Sequence, residues 1–329
     1  MNSPFKTVLI GSGMMGAGFA NDPMMAKFFQ YASHSQVLAA HPLFSWEAVV
    51  DKSDKALKRA ADEWRIPVIV KSVDELAKKF QPEVAVIATP PQQRIDIIKK
   101  LPTLRAVLVE KPLGLTLTEA LEFIEECDRR GIIIQVNFWR RGDEVFRTFA
   151  EGELEKTIGR PLAAFGLYGN GLMNNGSHMV DLGRMLFGEI SRAEVLSPQT
   201  SFTEGPIPGD KNITFLLCFE TGLNVLFQAI TFVYYRENSL DIWGKKGRLG
   251  FYQESLGIYK YPRTKNRAIT GEWEIASDMP KKLDPTCGMA LYHMYDNIVE
   301  ALINGTSLWS SGEEALKTEK IVHQLLEAD

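Results

Sequence analysis

Apolar residues in the first half of the chain form short continuous runs separated by amphipathic segments. The five runs are Val8–Ile10, Trp46–Val50, Glu83–Ala88, Ala106–Val109 and Gly131–Val136. Between them, Ser53–Trp64 and Thr118–Arg130 space their apolar residues as helices do, with Thr118 as a cap, and another helix is expected to begin at about Met14. Buried strands that alternate with amphipathic helices are typical of a parallel sheet covered on both faces. The pattern predicts a doubly wound α/β domain.

The pattern changes after about Phe138. The apolar runs there follow one another with turns between them, at Leu162–Tyr168, Ala193–Leu196, Ile213–Phe219, Leu223–Ile230 and Leu240–Trp243. Gly222 lies in the three-residue connection between the third and fourth runs, which predicts a hairpin. Met289–Ile303 and Gly312–Leu326 have helical spacing. This half is therefore predicted to be an α+β domain with an antiparallel or mixed sheet.

The net charge and the cysteine content argue against several classes of function. The chain has 37 Lys and Arg against 41 Asp and Glu, a formal net charge of −4 that offers no basic field to nucleic acid or to a membrane. Cys127, Cys218 and Cys287 lack the paired spacing of a zinc site, so we predict no metal and a reducing compartment. No run approaches the ~20 apolar residues of a membrane helix. Met1–Thr7 leaves no room for a signal peptide, and we expect a cytoplasmic protein.

The segment Gly11-Ser12-Gly13-Met14-Met15-Gly16 matches G-x-G-x-x-G directly after the first predicted strand. In this motif the first glycine permits a tight turn, the second lets the backbone approach a pyrophosphate, and the third lets a helix pack closely. The amides at the helix N-terminus then bind the anion. The motif alone is weak, and a merely structural turn is the alternative, but its place after a strand favours a dinucleotide site.

Asp51 ends the second predicted strand, where a carboxylate can accept hydrogen bonds from the hydroxyls of an adenosine ribose. This favours NAD over NADP, although the adjacent Lys52 can tolerate a 2′-phosphate. Asp51 follows Gly16 by 35 residues instead of the usual ~20, which predicts an insertion between helix and strand, within Asn21–Ser45. The alternative is that Asp51 is a solvated cap of the next helix.

Glu110-Lys111-Pro112 follows the fourth predicted strand, at the sheet edge where ligands bind in open α/β folds. A lysine beside an oxidised nicotinamide is partly desolvated and near positive charge, and both effects lower its pKa from ~10.4 towards a useful range for proton transfer. The alternative is an ordinary surface Glu-Lys pair before a turn proline.

A helix is expected to begin near Asn175, and it would bring together a second group of polar residues. Asn174, His178 and Asp181 are then related by steps of four and three and share one helix face. The imidazole can take a hydroxyl proton, and Asp181 can stabilise its charged form or hold substrate. The alternative is that Asn174 caps the helix, His178 is a satisfied buried histidine and Asp181 is solvated.

Together these residues resemble the Gfo/Idh/MocA oxidoreductase family, which includes glucose-fructose oxidoreductase and inositol dehydrogenase. The resemblance covers most of the chain and is most specific at Gly11–Gly16, Ala88-Thr89-Pro90, Glu110-Lys111-Pro112 and Gly176-Ser177-His178-x-x-Asp181. Two positions depart from the family. Asn174 stands where an aspartate is frequent, and Arg94 replaces a common histidine.

The resemblance implies a Rossmann domain at residues 1–138 that binds NAD, with NADP possible. At residues 139–329 it implies a substrate-binding and oligomerisation domain, whose large open, mostly antiparallel sheet would serve a homodimer or homotetramer. Glu110 would contact the nicotinamide ribose, Thr89 and Pro90 would line the cofactor cleft, and the Lys111-Pro112 bond is often cis. Lys111, which would also contact cofactor and substrate, and His178 would be the acid-base pair. They would act on a secondary hydroxyl or ketone of a sugar, nucleotide sugar or cyclitol.

Several polar and aromatic residues lie in segments expected to face a substrate. They are Trp139, Arg140, Arg141, Asn170, Asn174, Asn175, Tyr234, Tyr235 and Arg236. Arginines there would suit a carboxylate or phosphate, and the alternative for each residue is packing or a solvated surface. Retention of Lys111 and His178 favours an enzyme over a non-catalytic NAD sensor. A redox-neutral NAD-dependent glycosidase or epimerase remains a further alternative.

Overall fold

The computed structural model describes residues 3–196 and 201–329. The chain divides into two compact units, residues 1–143 with 288–317, and residues 144–287 with 318–329. The sequence pattern predicts a second domain that contains every residue after 138, but the structure places residues 288–317 in the first unit. These residues belong there because Leu291, Met294 and Ile298 are buried in the same core as the strands of the first unit.

The first unit begins with alternating strands and helices. They are β1 (Phe5–Ile10), α1 (His34–Ala40), β2 (Phe44–Val50), α2 (Asp54–Trp64), β3 (Val68–Val70), α3 (Val73–Lys79), β4 (Val84–Ile87), α4 (Arg94–Lys100), β5 (Ala106–Val109), α5 (Leu117–Arg129) and β6 (Ile133–Val136). The six strands form one parallel sheet in the order β3-β2-β1-β4-β5-β6. The predicted doubly wound sheet is confirmed.

The remaining elements are α6 (Glu144–Thr148), α7 (Leu154–Ile158), β7 (Pro161–Tyr168), α8 (Ser177–Phe187), β8 (Ile190–Val195), β9 (Phe202–Thr203), β10 (Lys211–Asn212), β11 (Phe215–Phe219), β12 (Asn224–Ala229), β13 (Ser239–Gly244), β14 (Gly247–Tyr252), β15 (Gly257–Lys265), β16 (Trp273–Ile275), β17 (Lys281–Leu283), α9 (Ala290–Asn304) and α10 (Gly312–Ala328). Within residues 3–196 and 201–329, no helix combines the length and the apolar character that a membrane crossing requires.

The sheet of the second unit is mixed and mostly antiparallel, as predicted. Its strands follow the order β16-β15-β14-β13-β7-β12-β11-β8, and β17 pairs with β15. Among the described pairs, β7 and β12 run parallel, whereas their other pairings with β13 and β11 are antiparallel. The predicted hairpin is the β11–β12 pair, and Gly222 in its turn has φ 83°, a left-handed conformation that glycine adopts readily.

Two helix starts differ from their predictions. The cap of α5 is Thr116, whose hydroxyl accepts a hydrogen bond from the Glu119 amide at 3.2 Å, so the prediction of Thr118 was wrong by two residues. Thr116 and Glu119 have the spacing of a capping box, and Glu119 reaches back to the Leu115 amide. The helix predicted from Met14 was also wrong, because the chain leaves the helical path after one turn.

The segment after that turn is irregular. It contains 3₁₀ turns at Gly18–Asn21 and Met25–Lys27, and α1 begins only at His34. Asp22 is extended, as expected of a residue before Pro23, and its side chain accepts hydrogen bonds from the amides of Met24 and Met25. This Asx-type turn competes with a helix, so the segment cannot continue the glycine turn directly.

Helix α1 nevertheless resumes the helical path that the glycine turn begins. The His34 amide donates to the Met15 carbonyl at 3.0 Å, and the Ser35 amide donates to the Gly16 carbonyl at 2.9 Å. In an uninterrupted helix these carbonyls would accept from residues 19 and 20, so both bonds indicate an excursion of 15 residues. The predicted insertion is present but lies before the helix, not between the helix and β2.

Candidate functional site

Five strands of the first unit end in one register row. Ile10 is paired with both Val50 and Ile87, and the row continues through Val109 to Val136. The next residues along these strands are Gly11, Asp51, Ala88, Glu110 and Asn137. Ligands of open parallel sheets bind at this carboxyl edge. The structure therefore brings the glycine turn, Asp51, the Ala88-Thr89-Pro90 turn and Glu110 to one edge, together with Asn137, which the sequence analysis did not select.

The three motif glycines have different reasons to be glycine. Gly11 has φ 89°, and a Cβ there would lie 2.8 Å from the Thr89 methyl group. A Cβ on Gly16 would lie 2.2 Å from the Gly11 carbonyl oxygen. A Cβ on Gly13 would meet nothing within 4 Å, so the packing of the protein does not require glycine at this position. An open approach to the backbone at Gly13 fits a pyrophosphate.

Other polar groups at this edge also fit a nucleotide. The first amides of a helix have no acceptor within the helix, so they can bind a ligand. Helix α1 continues the path of the turn that contains Met14 and Met15. The helix dipole therefore favours an anion at this turn. The hydroxyl oxygen of Thr89 is buried and, within the described residues, has no hydrogen-bond partner. Pro90 precedes a short 3₁₀ turn and is exposed.

Asp51 is fixed beside the glycine turn. One carboxylate oxygen accepts from the Ser12 amide at 2.6 Å and the other from the Ser53 amide at 2.8 Å. The cap of α2 is Ser53, so the alternative that Asp51 caps this helix is wrong. Arg59, which sequence reasoning missed, donates to the Ser12 carbonyl at 2.6 Å. Nothing in the α2 pattern distinguishes it from the neighbouring basic residues.

The insertion explains the position of Asp51. Gly16 and Asp51 are 35 residues apart in sequence, and removal of the 15-residue excursion leaves 20, the usual spacing of ~20 for a dinucleotide-binding turn and its acidic residue. The acidic residue therefore keeps its ordinary place relative to the glycine turn.

Asp51→Asn is expected to weaken NADH binding by about 10-fold or more, because charge-assisted hydrogen bonds to the ribose hydroxyls contribute about 1.5–3 kcal/mol. NADPH, whose 2′-phosphate is repelled by the carboxylate, should lose less affinity or gain some. Calorimetric titration with both dinucleotides measures the ratio. Asp54→Asn is the matched control, since Asp54 is exposed and paired with Lys71. Equal losses for both dinucleotides would remove Asp51 from the site.

Glu110 is held by a buried network. Its Oε1 lies 2.9 Å from Nε2 of His34 and 2.7 Å from the amide nitrogen of Asn137, and the other His34 ring nitrogen lies 2.8 Å from the Tyr295 hydroxyl. His34 and Tyr295 are fully buried. The alternative of an ordinary surface Glu-Lys pair is therefore wrong for Glu110.

The network favours the charged form of Glu110. Burial alone would raise the pKa of Glu110, but hydrogen bonds from His34 and Asn137 and the charge of Lys111 outweigh it, and the pKa lies below its usual value. Burial raises the pKa of Tyr295 well above its usual value, so its hydroxyl keeps the proton beside Nδ1 of His34. The hydrogen bond between Nε2 of His34 and the carboxylate favours the charged form of Glu110. Lys111, which follows, is partly buried, and its peptide bond to Pro112 is cis.

The second unit carries the other predicted proton carrier, His178, in the first turn of α8. Residues Leu172–Gly176 form a π-helical turn before α8 begins at Ser177, so the step from Asn174 to His178 is not the α-helical step that was predicted. His178 and Asn174 are both partly buried. Asp181 is buried, and its carboxylate accepts from the Thr318 hydroxyl at 3.0 Å, so the solvated alternative for Asp181 is wrong.

The turn before α8 is anchored by a buried aspartate that sequence reasoning missed. The carboxylate of Asp210, which is 2% exposed, accepts from the amides of Met173 at 2.9 Å and Asn174 at 3.0 Å. It acts as a helix cap supplied from a distant part of the chain. A Cβ on Gly171, which has φ 93°, would lie 2.0 Å from that carboxylate. No local signal in the sequence links Asp210 to this turn.

The other predicted substrate contacts are distributed between the units. In the first unit the Arg140 guanidinium lies 4.4 Å from the centre of the Trp139 ring, and Arg141 donates to the Trp309 carbonyl. The remaining predicted contacts belong to the second unit. The backbone of Asn170 has a left-handed conformation, and the side-chain nitrogen of Asn175 is buried without a partner among the described residues. Tyr234 and Tyr235 are exposed. Arg236 donates a hydrogen bond to Glu254.

The parallel sheet and the residues at its carboxyl edge are those of a dinucleotide-binding protein. Residues 5–138 match the oxidoreductase family model with an NAD-binding Rossmann fold, and residues 158–250 match the GFO/IDH/MocA C-terminal domain. The chain belongs to the GFO/IDH/MocA family of oxidoreductases, and its first unit is the NAD-binding domain.

The chain is similar in sequence to several dehydrogenases. The chain is 27% identical over 82% of its length to trans-1,2-dihydrobenzene-1,2-diol dehydrogenase of Oryctolagus cuniculus, covering 85% of that protein. It is 27% identical over 44% of its length to myo-inositol 2-dehydrogenase of Thermotoga maritima, covering 48% of it. Among solved structures, the WlbA dehydrogenase of Bordetella pertussis, in complex with NADH and UDP-GlcNAcA, has a TM-score of 0.69 at 17% identity, with 99% and 96% of the two chains covered. At 17% sequence identity, this structural similarity is evidence for the fold alone.

Proposed function

We propose that this protein is an NAD-dependent dehydrogenase that interconverts a secondary hydroxyl and a ketone on a ring bearing neighbouring hydroxyls. The observation that carries the proposal is the position of Lys111, directly after a glutamate that His34 and Asn137 fix at the carboxyl edge of the NAD-binding sheet. The named relatives support the substrate class, since they act on a cyclic diol, on inositol and, in Paraburkholderia graminis, on D-apiose.

Lys111 and His178 are the proposed proton carriers. When bound, NAD would supply the two-electron acceptor for the hydride of the carbinol carbon. The Nζ atom of Lys111 takes the proton of the same hydroxyl as its C–O bond becomes a carbonyl, and in the reverse direction it returns that proton. His178 orients the hydroxyl or passes the proton to solvent. The hydrogen bonds of the Glu110 carboxylate to His34 and Asn137 hold the residue before Lys111 in place.

Calorimetric titration of the nucleotide-stripped protein with NADH, followed by a substrate screen, tests this proposal. The screen contains cyclic vicinal diols, inositols, free sugars, uronic acids and UDP-sugars, and it is read by the absorbance of NADH. Turnover on a ring polyol supports the proposal. NADH binding without turnover on any of them favours a sensor or a redox-neutral enzyme, which isotope exchange at the carbinol carbon would distinguish. A protein that binds neither NADH nor NADPH would contradict it.

A further inference from the structure

Arg94 is a buried cation that donates to three backbone carbonyls of one loop. It is the first residue of α4, and it is 1% exposed, which makes it one of the largest fully buried side chains of the chain. A charge taken out of water at such a place costs several kcal/mol unless it is well hydrogen-bonded. The first turn of a helix adds a further small cost, because the helix dipole is positive there.

Hydrogen bonds from the guanidinium to backbone carbonyls compensate these costs. One terminal nitrogen of Arg94 donates to the carbonyls of Pro112 at 2.6 Å and Leu113 at 2.9 Å. The other terminal nitrogen donates to the carbonyl of Glu110. The guanidinium thus binds the backbone on both sides of Lys111. Its planar fork of donors can hold several carbonyls in fixed directions, which the single ammonium of a lysine cannot do.

The side chain and the backbone of this loop are held by different groups. His34 and Asn137 hold the carboxylate of Glu110, whereas Arg94 holds the carbonyl of the same residue and the two carbonyls that follow Lys111. The two sets of contacts therefore fix different parts of the same loop, the Glu110 carboxylate on one hand and the backbone carbonyls around Lys111 on the other. The loop ends are fixed by β5 on one side and by the buried Leu113 on the other.

We propose that Arg94 is a positioning residue for Lys111. The inference rests on the proposed function, because it assigns Arg94 the task of keeping the Lys111 backbone where its amine can take the substrate proton. Displacement of a catalytic group by about 1 Å costs on the order of 100-fold in rate. Arg94→Met, which keeps the side-chain length and removes the donors, is therefore expected to lower kcat by about 100-fold while NADH still binds.

Arg130→Met is the matched control. Arg130 is also a cation that donates to two backbone carbonyls, those of Ile98 and Leu101, but these lie at the opposite end of α4. Both substitutions remove an arginine clamp from the first unit, and both should lower the thermal midpoint. Only Arg94→Met should lower kcat beyond what the loss of folded protein explains.

The pH profile separates positioning from general destabilisation. The limb of kcat/KM that disappears in Lys111→Met belongs to Lys111, and in Arg94→Met this limb should shift, since the amine is no longer held in the same surroundings. Arg94→Lys keeps the cation and loses the fork, so it serves as the second variant if Arg94→Met does not fold. Its kcat should also fall, with the same shift of the limb.

The outcomes distinguish the two proposals. If Lys111→Met remains fully active, the proposed role of Lys111 fails and the inference about Arg94 fails with it, whereas NAD-dependent turnover, and with it the proposed reaction, still stands. If Lys111→Met is inactive but Arg94→Met and Arg94→Lys turn over at the wild-type rate, the inference is overturned and the proposed function stands. The inference is equally overturned if Arg94→Met and Arg130→Met lose activity in step with their thermal midpoints.

Discussion

Lys111→Met is expected to lower kcat by about 100-fold to 10,000-fold, the range that general acid-base groups contribute. Methionine keeps the length and the apolar stem of lysine, so the partly buried side chain can still pack. The affinity for NADH should stay near that of the wild type, because the glycine turn and Asp51 are unchanged. Steady-state kinetics with the substrate found in the screen, together with calorimetry for NADH, measures both quantities.

Lys71→Met is the control for this substitution. Lys71 directly follows β3 in the same parallel sheet, as Glu110-Lys111 follows β5, but it is 56% exposed and paired with Asp54. Surface ion pairs of this kind contribute about 0–1 kcal/mol, so Lys71→Met should keep full activity. Wild-type turnover by Lys111→Met would remove this lysine from the mechanism.

Gly13→Val should abolish tight NADH binding without harming the fold. A Cβ at this position would meet nothing within 4 Å, so we expect the free protein to accept the substitution. The same side chain would occupy the approach to the backbone that a pyrophosphate needs, and loss of two charge-assisted hydrogen bonds at about 1.5–3 kcal/mol each corresponds to at least 100-fold in affinity. Calorimetry with NADH and thermal unfolding without it measure the two effects.

Gly16→Val provides the contrast. A Cβ at Gly16 collides with the Gly11 carbonyl, so this variant should lose stability in the absence of any cofactor. Thermal unfolding would then separate one glycine that serves the ligand from one that serves the fold. NADH binding by Gly13→Val with unchanged affinity would contradict the assignment of the pyrophosphate to this turn.

The elements that the sequence predicted well are those with a strong local pattern. The fourth predicted strand has the bounds of β5, and the two terminal helices agree with α9 and α10 to within two residues. β3 was missed because Val68-Ile69-Val70 is only three residues long and follows a proline. The helix after the glycine turn was misplaced because an apolar, methionine-rich insertion has the composition of a helix but contains Asp22-Pro23.

The site residues that were missed have partners far away in the chain. His34 and Tyr295 are 261 residues apart, and the carboxylate of Asp210 reaches amides 36 and 37 residues earlier. Arg94 was seen only as a departure from the family, since its targets are carbonyls, and backbone groups leave no trace in the sequence. The catalytic and binding roles of the predicted residues, Lys111 and His178 foremost, remain predictions that the experiments above address.

The interrupted helix after the glycine turn has a consequence for how this chain can change. The amides of His34 and Ser35 donate to the carbonyls of Met15 and Gly16, so the inserted residues form a loop whose two ends lie close together. Closing such a loop costs little more when it is longer, and changes in its length leave the phase of α1 and the place of Asp51 untouched. Its surface, where Met24 and Phe28 are exposed, is therefore free to diversify without disturbing the nucleotide-binding turn.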